Sequence, residues 1–371
     1  MVPDYDGEVL GRVLPAAAAL LGVLLDGRPD WDLPAADQVC VVLVDGLGYE
    51  VLADSRTRAP FLKGQLAESR VLRAGFPTTT AASMGSFGTG RPPGQHGLVG
   101  YEMLDPDRDR LINGLKWDDD VDPERWQVYP TVFEQLDRAG IPSVRVGPLR
   151  FNGSGLTNAA LRGGSFVAAT KLRDTCDAAV HALTSGIAKL VYLYWGGVDY
   201  AGHTHGWRSR SWRDAVAEFD RAMSSLYRGL PAGTVLLITA DHGMLDLDHA
   251  HRHDLAQTPR LLTGVRHIGG ETRCLQLYVE PGATEQVAAG FAAEFGELVW
   301  VRTRDEAIEQ GWFGPVDAHV RPRIGDVLVA AAGDFGLVDS RVVDPKVLRL
   351  VGQHGSLTEA EQLIPLIPLA R

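Results

Sequence analysis

The sequence contains too few cysteines for a fold that depends on disulfides. Only three of its 371 residues are cysteine, and Cys40, Cys176 and Cys274 are widely separated. Three scattered thiols are too few for the framework of a small secreted domain or for a four-cysteine zinc cluster. We therefore expect a reducing compartment and a cytoplasmic protein.

Positive charge is also scarce. The chain has 36 lysines and arginines against 47 aspartates and glutamates, which gives a net charge of −11. Proteins that bind nucleic acids or anionic membranes rely on clustered positive charge, so neither partner is expected here. An acidic protein can still bind a small phosphorylated substrate through metal ions.

The sequence also lacks an apolar run long enough to cross a membrane. Residues 13–25 are fairly apolar, but a membrane helix needs about 20 consecutive apolar residues. The preceding residues Asp4, Asp6 and Glu8 are acidic, whereas a secretory signal begins with positive charge. These residues predict an amphipathic helix packed on the domain.

Short runs of apolar and β-branched residues recur along the chain, each followed by a turn that contains glycine. They lie at residues 39–44, 143–146, 190–194, 235–239 and 327–330. Helical segments separate several of these runs, which predicts an α/β fold: a three-layer αβα sandwich with a mostly parallel central sheet. Sheets of this kind place their ligand sites at the carboxyl ends of strands.

One segment, residues 259–315, differs in character from the rest. It contains two short strand-like runs that alternate with two helical segments, at 275–279, 284–294, 298–301 and 304–310. The pattern of the main sheet resumes with residues 325–331. We therefore predict a small α/β cap insertion at 259–315, within a catalytic core formed by residues 1–258 and 316–371.

Polar residues follow the expected strands at their carboxyl ends. Asp45 ends the first run, although Asp-Gly is also an ordinary turn pair. Asp199 and His203 are four residues apart, so in a helical turn they face the same way and could bind one metal. A surface pair would look identical. Asp241 and His242 end another run, and the glycine after them would let both side chains turn toward one cation.

Two further segments contain candidate residues. His354 lies between Gly352 and Gly355, a flexible setting in which an imidazole can turn inward, although a loop histidine would look the same. Residues 78–80 are three threonines before a helical segment of small residues. Threonines at this position are usually N-caps. The alternative is that the helix N-terminus holds a phosphoryl oxygen next to a hydroxyl nucleophile.

The order of these elements resembles the alkaline phosphatase superfamily and, within it, the nucleotide pyrophosphatase and phosphodiesterase branch. The matching elements run from Asp45 to Gly355, and residues 76–97 are the most specific match. The resemblance implies an alkaline phosphatase-like fold and a hydrolase that uses two divalent metal ions.

The resemblance also implies the identity of the site residues. The implied metal ligands are two groups of three, Asp199 with His203 and His354, and Asp45 with Asp241 and His242. Thr80 would be the nucleophile and a further ligand of the second metal, because the family's nucleophile stands three residues after a proline, here Pro77. Mixed nitrogen and oxygen ligands favour zinc, with manganese or iron as alternatives.

Two departures from the family pattern concern the substrate. The family's threonine is commonly followed by Phe-Pro-Asn, whose aromatic ring contacts a nucleobase, whereas residues 81–83 are Ala-Ala-Ser. The presence of a nucleobase in the substrate therefore stays open. The family often has an asparagine where this chain has Tyr101, whose hydroxyl is a candidate donor to the substrate.

The function that the resemblance implies is that of a metal-dependent phosphodiesterase or nucleotide pyrophosphatase-like hydrolase. The alternatives are a phosphonate hydrolase or phosphomonoesterase of the same superfamily, and a catalytically inactive binding protein on this fold. The sulfatase branch is not favoured, because its C/S-x-P-x-R signature is absent from the sequence.

Overall fold

The computed structural model describes residues 2–371, which form two larger sheets, three two-stranded sheets and the helices that cover them. The strands are β1 (Gln38–Val44), β2 (Arg70–Arg73), β3 (Glu102–Asp105), β4 (Arg110–Asn113), β5 (Ser143–Gly147), β6 (Ser165–Ala168), β7 (Leu190–Trp195), β8 (Thr234–Ala240), β9 (Leu245–Asp246), β10 (Arg252–Asp254), β11 (Val265–Glu271), β12 (Cys274–Val279), β13 (Val299–Thr303), β14 (Val327–Ala331), β15 (Gly336–Val338), β16 (Gly352–Gln353) and β17 (Leu363–Ala370).

The α-helices range from one turn to five turns in length. They are α1 (Val13–Leu20), α2 (Tyr49–Ala53), α3 (Pro60–Lys63), α4 (Thr80–Thr89), α5 (Pro93–His96), α6 (Pro123–Trp126), α7 (Val132–Arg138), α8 (Gly155–Ala160), α9 (Leu172–Thr184), α10 (Gly197–His205), α11 (Arg210–Gly229), α12 (Thr284–Phe295), α13 (Arg304–Glu309) and α14 (Glu359–Gln362). Among residues 2–371, no helix is long and apolar enough to cross a bilayer.

Seven strands form the main sheet, in the order β2-β17-β8-β1-β7-β5-β6. Five neighbouring strands, from β8 to β6, are parallel. Strand β17 runs antiparallel between β8 and β2, and sequence reasoning did not identify it. Nearly every residue of β1 and β8 is buried, as is typical of strands with helices on both faces. The prediction of a mostly parallel central sheet is confirmed.

The helices pack against this sheet in two groups. Helices α1, α4, α7 and α8 contact one another, and α1 and α7 contact β1 and β5; in the other group α9 contacts β5 and β7 and packs on α11. Helix α11 buries one side chain per turn, Trp212, Val216, Phe219, Met223 and Leu226. This spacing is that of an amphipathic helix with one apolar face. The predicted three-layer arrangement is therefore present.

A second sheet contains four antiparallel strands in the order β11-β12-β14-β13. Helix α12 packs against β13 and β14, and the side chains between them, such as Leu277, Phe291 and Val329, form a separate apolar core. The predicted strands at 275–279 and 298–301 correspond to β12 and β13. The helical segments predicted between and after them correspond to α12 and α13.

The expectation for residues 325–331 was wrong. We expected them to return to the main sheet, but β14 pairs with β12 and β13 of the second sheet. A five-residue apolar run contains no pattern that specifies its neighbours, because hydrogen-bond partners are chosen only when the chain folds. The division into a core and an insertion at 259–315 stays a prediction, and β14 would belong with the insertion.

A buried ion pair connects the second sheet to the main one. Arg273, in the turn between β11 and β12, donates from Nε and Nη2 to the two carboxylate oxygens of Glu361, at 3.0 and 2.8 Å. Both side chains are fully buried. Glu361 Oε1 also accepts the backbone N–H of Ser356 at 3.0 Å. The ion pair therefore fixes the loop that contains His354.

Candidate active site

The predicted ligand residues come together at the carboxyl ends of neighbouring strands. Asp45 follows β1, Asp241 follows β8, and α10, which begins just after β7, contains Asp199 and His203. Because β8, β1 and β7 are adjacent in the sheet, side chains at their carboxyl ends meet. His354 reaches the same place from the loop after β16.

The ligand atoms form two compact groups. Within each group all ligand atoms lie within 4.8 Å of one another, and the groups are Asp199 with His203 and His354, and Asp45 with Asp241 and His242. These are the two sets implied by the resemblance. Thr80 lies beside the second group, with its Oγ1 3.4 Å from Nε2 of His242.

Each of the three histidines has its Nδ1 atom next to a backbone carbonyl. The pairs are His203 with Gly352 O at 2.7 Å, His242 with Gly243 O at 2.9 Å, and His354 with Thr78 O at 2.7 Å. A carbonyl oxygen only accepts, so Nδ1 donates its proton and Nε2 keeps a free lone pair. The Nε2 atoms of His203 and His354 then face each other at 3.1 Å. Because both lone pairs point into the same small space, this arrangement fits a cation that both nitrogens coordinate.

One oxygen of each aspartate lacks a hydrogen-bond donor among residues 2–371, namely Oδ1 of Asp45, Oδ1 of Asp199 and Oδ2 of Asp241. The free oxygens of Asp45 and Asp241 lie 3.4 and 3.5 Å from Nε2 of His242. The second oxygen of Asp45 accepts a hydrogen bond from the Tyr194 hydroxyl. Buried oxygens without donors are costly, so the free oxygens and Nε2 atoms together fit bound cations.

The electrostatics of the site also favour bound positive charge. Burial, followed by repulsion from Asp241 and Asp199, raises the pKa of Asp45 well above its usual value. Burial also raises the pKa of Asp241. Burial and the neighbouring imidazoles lower the pKa of His354 well below that of a free histidine. A divalent cation would reverse the carboxylate shifts, because it stabilises ionised carboxylates and neutral imidazoles.

The structure gives the three threonines before α4 different surroundings. The Thr78 hydroxyl donates to the carbonyl of Ser356 at 3.0 Å and so ties the helix start to the loop of His354. The Thr79 hydroxyl interacts with the buried carboxylate of Glu271. Only the Thr80 hydroxyl lies beside a ligand group, and Thr80 is the first residue of α4.

The site opens into a cavity of about 1030 Å³. Thr80, Asp45 and His354 are in its wall, whereas Asp241 and His242 lie behind them and are fully buried. Tyr101 also lines the cavity, as a substrate-binding residue must, and its contact with substrate stays a prediction.

Sequence reasoning assigned no role to two residues that the structure places at the site. Tyr194 is a large residue at a strand end, where a core position is more common than a pocket position, but it lines the cavity and donates to Asp45. Glu271, the last residue of β11, lines the cavity, and its Oε1 has no hydrogen-bond donor among residues 2–371. Burial raises the pKa of Glu271 well above its usual value. Neither residue stands in a recognisable motif, and only the position of Tyr194 at a strand end could have indicated the site.

Comparison with known families supports the assignment from the motifs. A family model described as type I phosphodiesterase / nucleotide pyrophosphatase matches residues 39–357. The chain belongs to this family. The match covers every predicted ligand and Thr80, and it confirms the predicted branch of the alkaline phosphatase superfamily.

Curated relatives of this phosphodiesterase-family chain are distant. Phosphopentomutase of Anaeromyxobacter dehalogenans is 26% identical over 170 residues, which are 45% of this chain and 41% of that protein. Human ectonucleotide pyrophosphatase/phosphodiesterase family member 7 is 25% identical over 252 residues, which are 64% of this chain and 54% of that protein. The chain spans about half the length of the curated relatives it matches.

Two solved structures match a larger share of this chain than the curated relatives do. Murine ectonucleotide pyrophosphatase/phosphodiesterase 5 superposes with a TM-score of 0.71 at 20% identity, covering 89% of this chain and 87% of that one. Phosphonoacetate hydrolase from Sinorhizobium meliloti, in complex with phosphonoacetate, gives a TM-score of 0.70 at 19% identity, covering 93% and 92%. These likenesses show a shared fold.

The close approach of Gly46 to Asp199 predicts the effect of a side chain at that position. Gly46 has φ +72°, and a Cβ added there would lie 2.9 Å from Oδ1 of Asp199. Gly140 has the same φ but nothing within 4 Å of an added Cβ. Each alanine substitution should cost about 1 kcal/mol because of the left-handed backbone. Gly46→Ala should lower the thermal unfolding midpoint further, because Asp199 must move. Equal midpoints for Gly46→Ala and Gly140→Ala would contradict this reading.

Proposed function

We propose that the protein is a metal-dependent hydrolase that cleaves a phosphodiester or phosphoanhydride bond with Thr80 as its nucleophile. One observation carries the proposal: the Thr80 hydroxyl, in the wall of a large cavity, lies beside one of two groups of carboxylate oxygens and imidazole Nε2 atoms. A binding protein without catalysis would not need a hydroxyl at that position.

The donor set fits two divalent cations. Asp199, His203 and His354 would hold one, and Asp45, Asp241 and His242, with Thr80, would hold the other. Mixed nitrogen and oxygen donors favour zinc, with manganese or iron as alternatives. When bound, two such ions supply positive charge that lowers the pKa of the Thr80 hydroxyl and offsets negative charge on the substrate.

The chain's own residues then perform a double displacement. The Thr80 hydroxyl loses its proton to solvent as Oγ1 attacks phosphorus, the Thr80–O–P bond forms, and the bond to the leaving oxygen breaks, with the electron pair going to that oxygen, which takes up a proton from solvent. In the second step water attacks the same phosphorus and loses a proton, and the Thr80 oxygen leaves and recovers one. The side chain of Thr79 does not cap α4. The N–H groups of the first turn are therefore free to hold a phosphoryl oxygen.

The charges around Thr80 favour a phosphodiester over a monoester. A monoester dianion brings an additional charged oxygen, which a nearby guanidinium would match. Residues 78–90 contain no lysine or arginine. The first basic residue after this segment is Arg91, which lies beyond the C-terminal end of α4. Its guanidinium lies 4.1 Å from the ring centroid of Tyr129. The second substituent of a diester can occupy the cavity.

The proposed setting is the cytoplasm, with a small phosphorylated molecule as substrate. All three cysteines are buried and unpaired, which is compatible with a reducing compartment.

Metal dependence is the first expected property. Exhaustive chelation should abolish hydrolysis of a nitrophenyl diester and added zinc should restore it, because the bound cations are the proposed source of the positive charge that activates the Thr80 hydroxyl. Elemental analysis should find about two zinc equivalents, since each cation has its own ligand group. His203→Ala should lose at least one of them. His267→Ala is the control, because His267 contacts Asp109 outside the site. Full activity after confirmed metal removal would refute the proposal.

The nucleophile can be tested by removing and restoring its hydroxyl. Thr80→Ala should lower kcat about a thousandfold or more with zinc content unchanged, whereas Thr80→Ser should keep measurable activity. Thr79→Ala, which removes the neighbouring hydroxyl, should be milder. If Thr79→Ala abolished turnover and Thr80→Ala did not, the nucleophile would be the wrong threonine.

Substrate charge gives a third expectation. The value of kcat/KM should be higher for a nitrophenyl phosphodiester than for the matched monoester, because residues 78–90 contain no lysine or arginine to compensate the additional charge. Steady-state kinetics on the two compounds decides the question. A monoester preference of about tenfold or more would indicate a phosphomonoesterase instead.

A further inference from the structure

Arg145, in β5, is a buried cation without a counter-ion. Its residue is 8% exposed, its Nε has no hydrogen-bond partner, and its side chain makes no hydrogen bond or ion pair with any of residues 2–371. The guanidinium carbon lies 6.0 Å from the ring centroid of Phe133 and 5.8 Å from that of Phe166. The carboxylate of Asp137 attracts it only at longer range.

Other buried arginines of the chain have partners. Arg273 is paired with Glu361, and Arg323 donates to the carbonyl of Trp126 at 2.9 Å while lying 3.9 Å from the centroid of its ring. Arg145 has two rings at about 6 Å and the longer-range attraction of Asp137. Ring contacts at such distances stabilise a cation only weakly, and they do not offset the hydration that an unpaired ion loses on burial. Burial lowers the pKa of Arg145, but a guanidinium remains protonated in proteins. An anion bound beside Arg145 would supply the counter-charge that the protein itself does not provide.

Arg145 lines the same cavity as Thr80. It is in register with Tyr192 of β7, which is in register with Val41 of β1. Asp45 follows Val41 by four residues, about 13 Å along the strand at about 3.3 Å per residue. Arg145 is therefore two strands across the sheet and well behind the reacting end of the cavity. Its guanidinium would meet a part of the substrate other than the phosphoryl group that reacts.

We propose that Arg145 forms a second anion subsite, which binds a carboxylate or phosphate group carried by one substituent of the phosphodiester. The proposal rests on the proposed hydrolase function and specifies its substrate class. A planar guanidinium matches either anion with two parallel hydrogen bonds. Glu102 and Glu271 also line the cavity and are contributed by β3 and β11, so the anionic substituent should extend toward β5.

The kinetic test compares 2-carboxyethyl 4-nitrophenyl phosphate with its propyl analogue, which lacks the carboxylate. The wild-type protein should hydrolyse the carboxylated diester with a kcat/KM about tenfold higher or more, mainly through a lower KM. Arg145→Gln should remove the preference and leave the rate on the propyl diester within about twofold. Arg150→Gln is the matched control, because Arg150 is an exposed arginine lining the same cavity. Equal preference in the wild type and Arg145→Gln would overturn the subsite.

Thermal unfolding gives a second measurement that does not depend on turnover. In low-salt buffer without multivalent anions, Arg145→Met should unfold at the same or a higher temperature than wild type, because it removes an unpaired buried charge. Inorganic phosphate should raise the midpoint of wild type more than that of Arg145→Met. A lower midpoint for Arg145→Met without phosphate would show a purely structural residue and overturn the proposal. If wild type hydrolysed neither diester, the proposed function would fail, and the phosphate-dependent difference would still decide the subsite.

Discussion

The burial of three mutually repelling aspartates is the constraint around which this molecule is organised. Within residues 2–371, Asp45, Asp199 and Asp241 each present an oxygen without a hydrogen-bond donor to the same buried region. The surrounding structure holds these oxygens in position rather than neutralising them. The Tyr194 hydroxyl donates to the other oxygen of Asp45, and the backbone N–H of Gly46 donates to the other oxygen of Asp241. The proposed cations would supply the positive charge that favours the ionised form of these carboxyl groups.

The three histidines of the site are also held in fixed positions by the surrounding structure. Their Nδ1 atoms bond to backbone carbonyls from separate parts of the chain, which fixes both the ring orientation and the nitrogen that remains free. The carbonyl that accepts the hydrogen bond of His354 belongs to Thr78, two residues before the proposed nucleophile. The position of one ligand is therefore coupled to that of Thr80. The second sheet contributes to the coupling, since Arg273 holds Glu361 and Glu361 holds the loop after His354.

The cavity extends this organisation to the substrate. Its reacting end is rich in carboxylates, the wall formed by β3 and β11 adds Glu102 and Glu271, and the unpaired guanidinium of Arg145 stands at the β5 side. A substrate must therefore place its charges in a particular order along the cavity. This asymmetry is a source of specificity that does not require a nucleobase.

The sequence by itself predicted the parallel α/β core, because buried strands are local patterns along the chain. The family resemblance implied six candidate ligand residues and Thr80, and the structure brings these residues together. Sequence reasoning misplaced residues 325–331, favoured a core position for Tyr194, and gave no sign that Glu271 or Arg145 line the site. Only the tertiary structure decided these features. The partner of β14, the acceptor of the Tyr194 hydroxyl and the lack of a partner for Arg145 all depend on distances between segments far apart in sequence. No periodicity or motif records such distances.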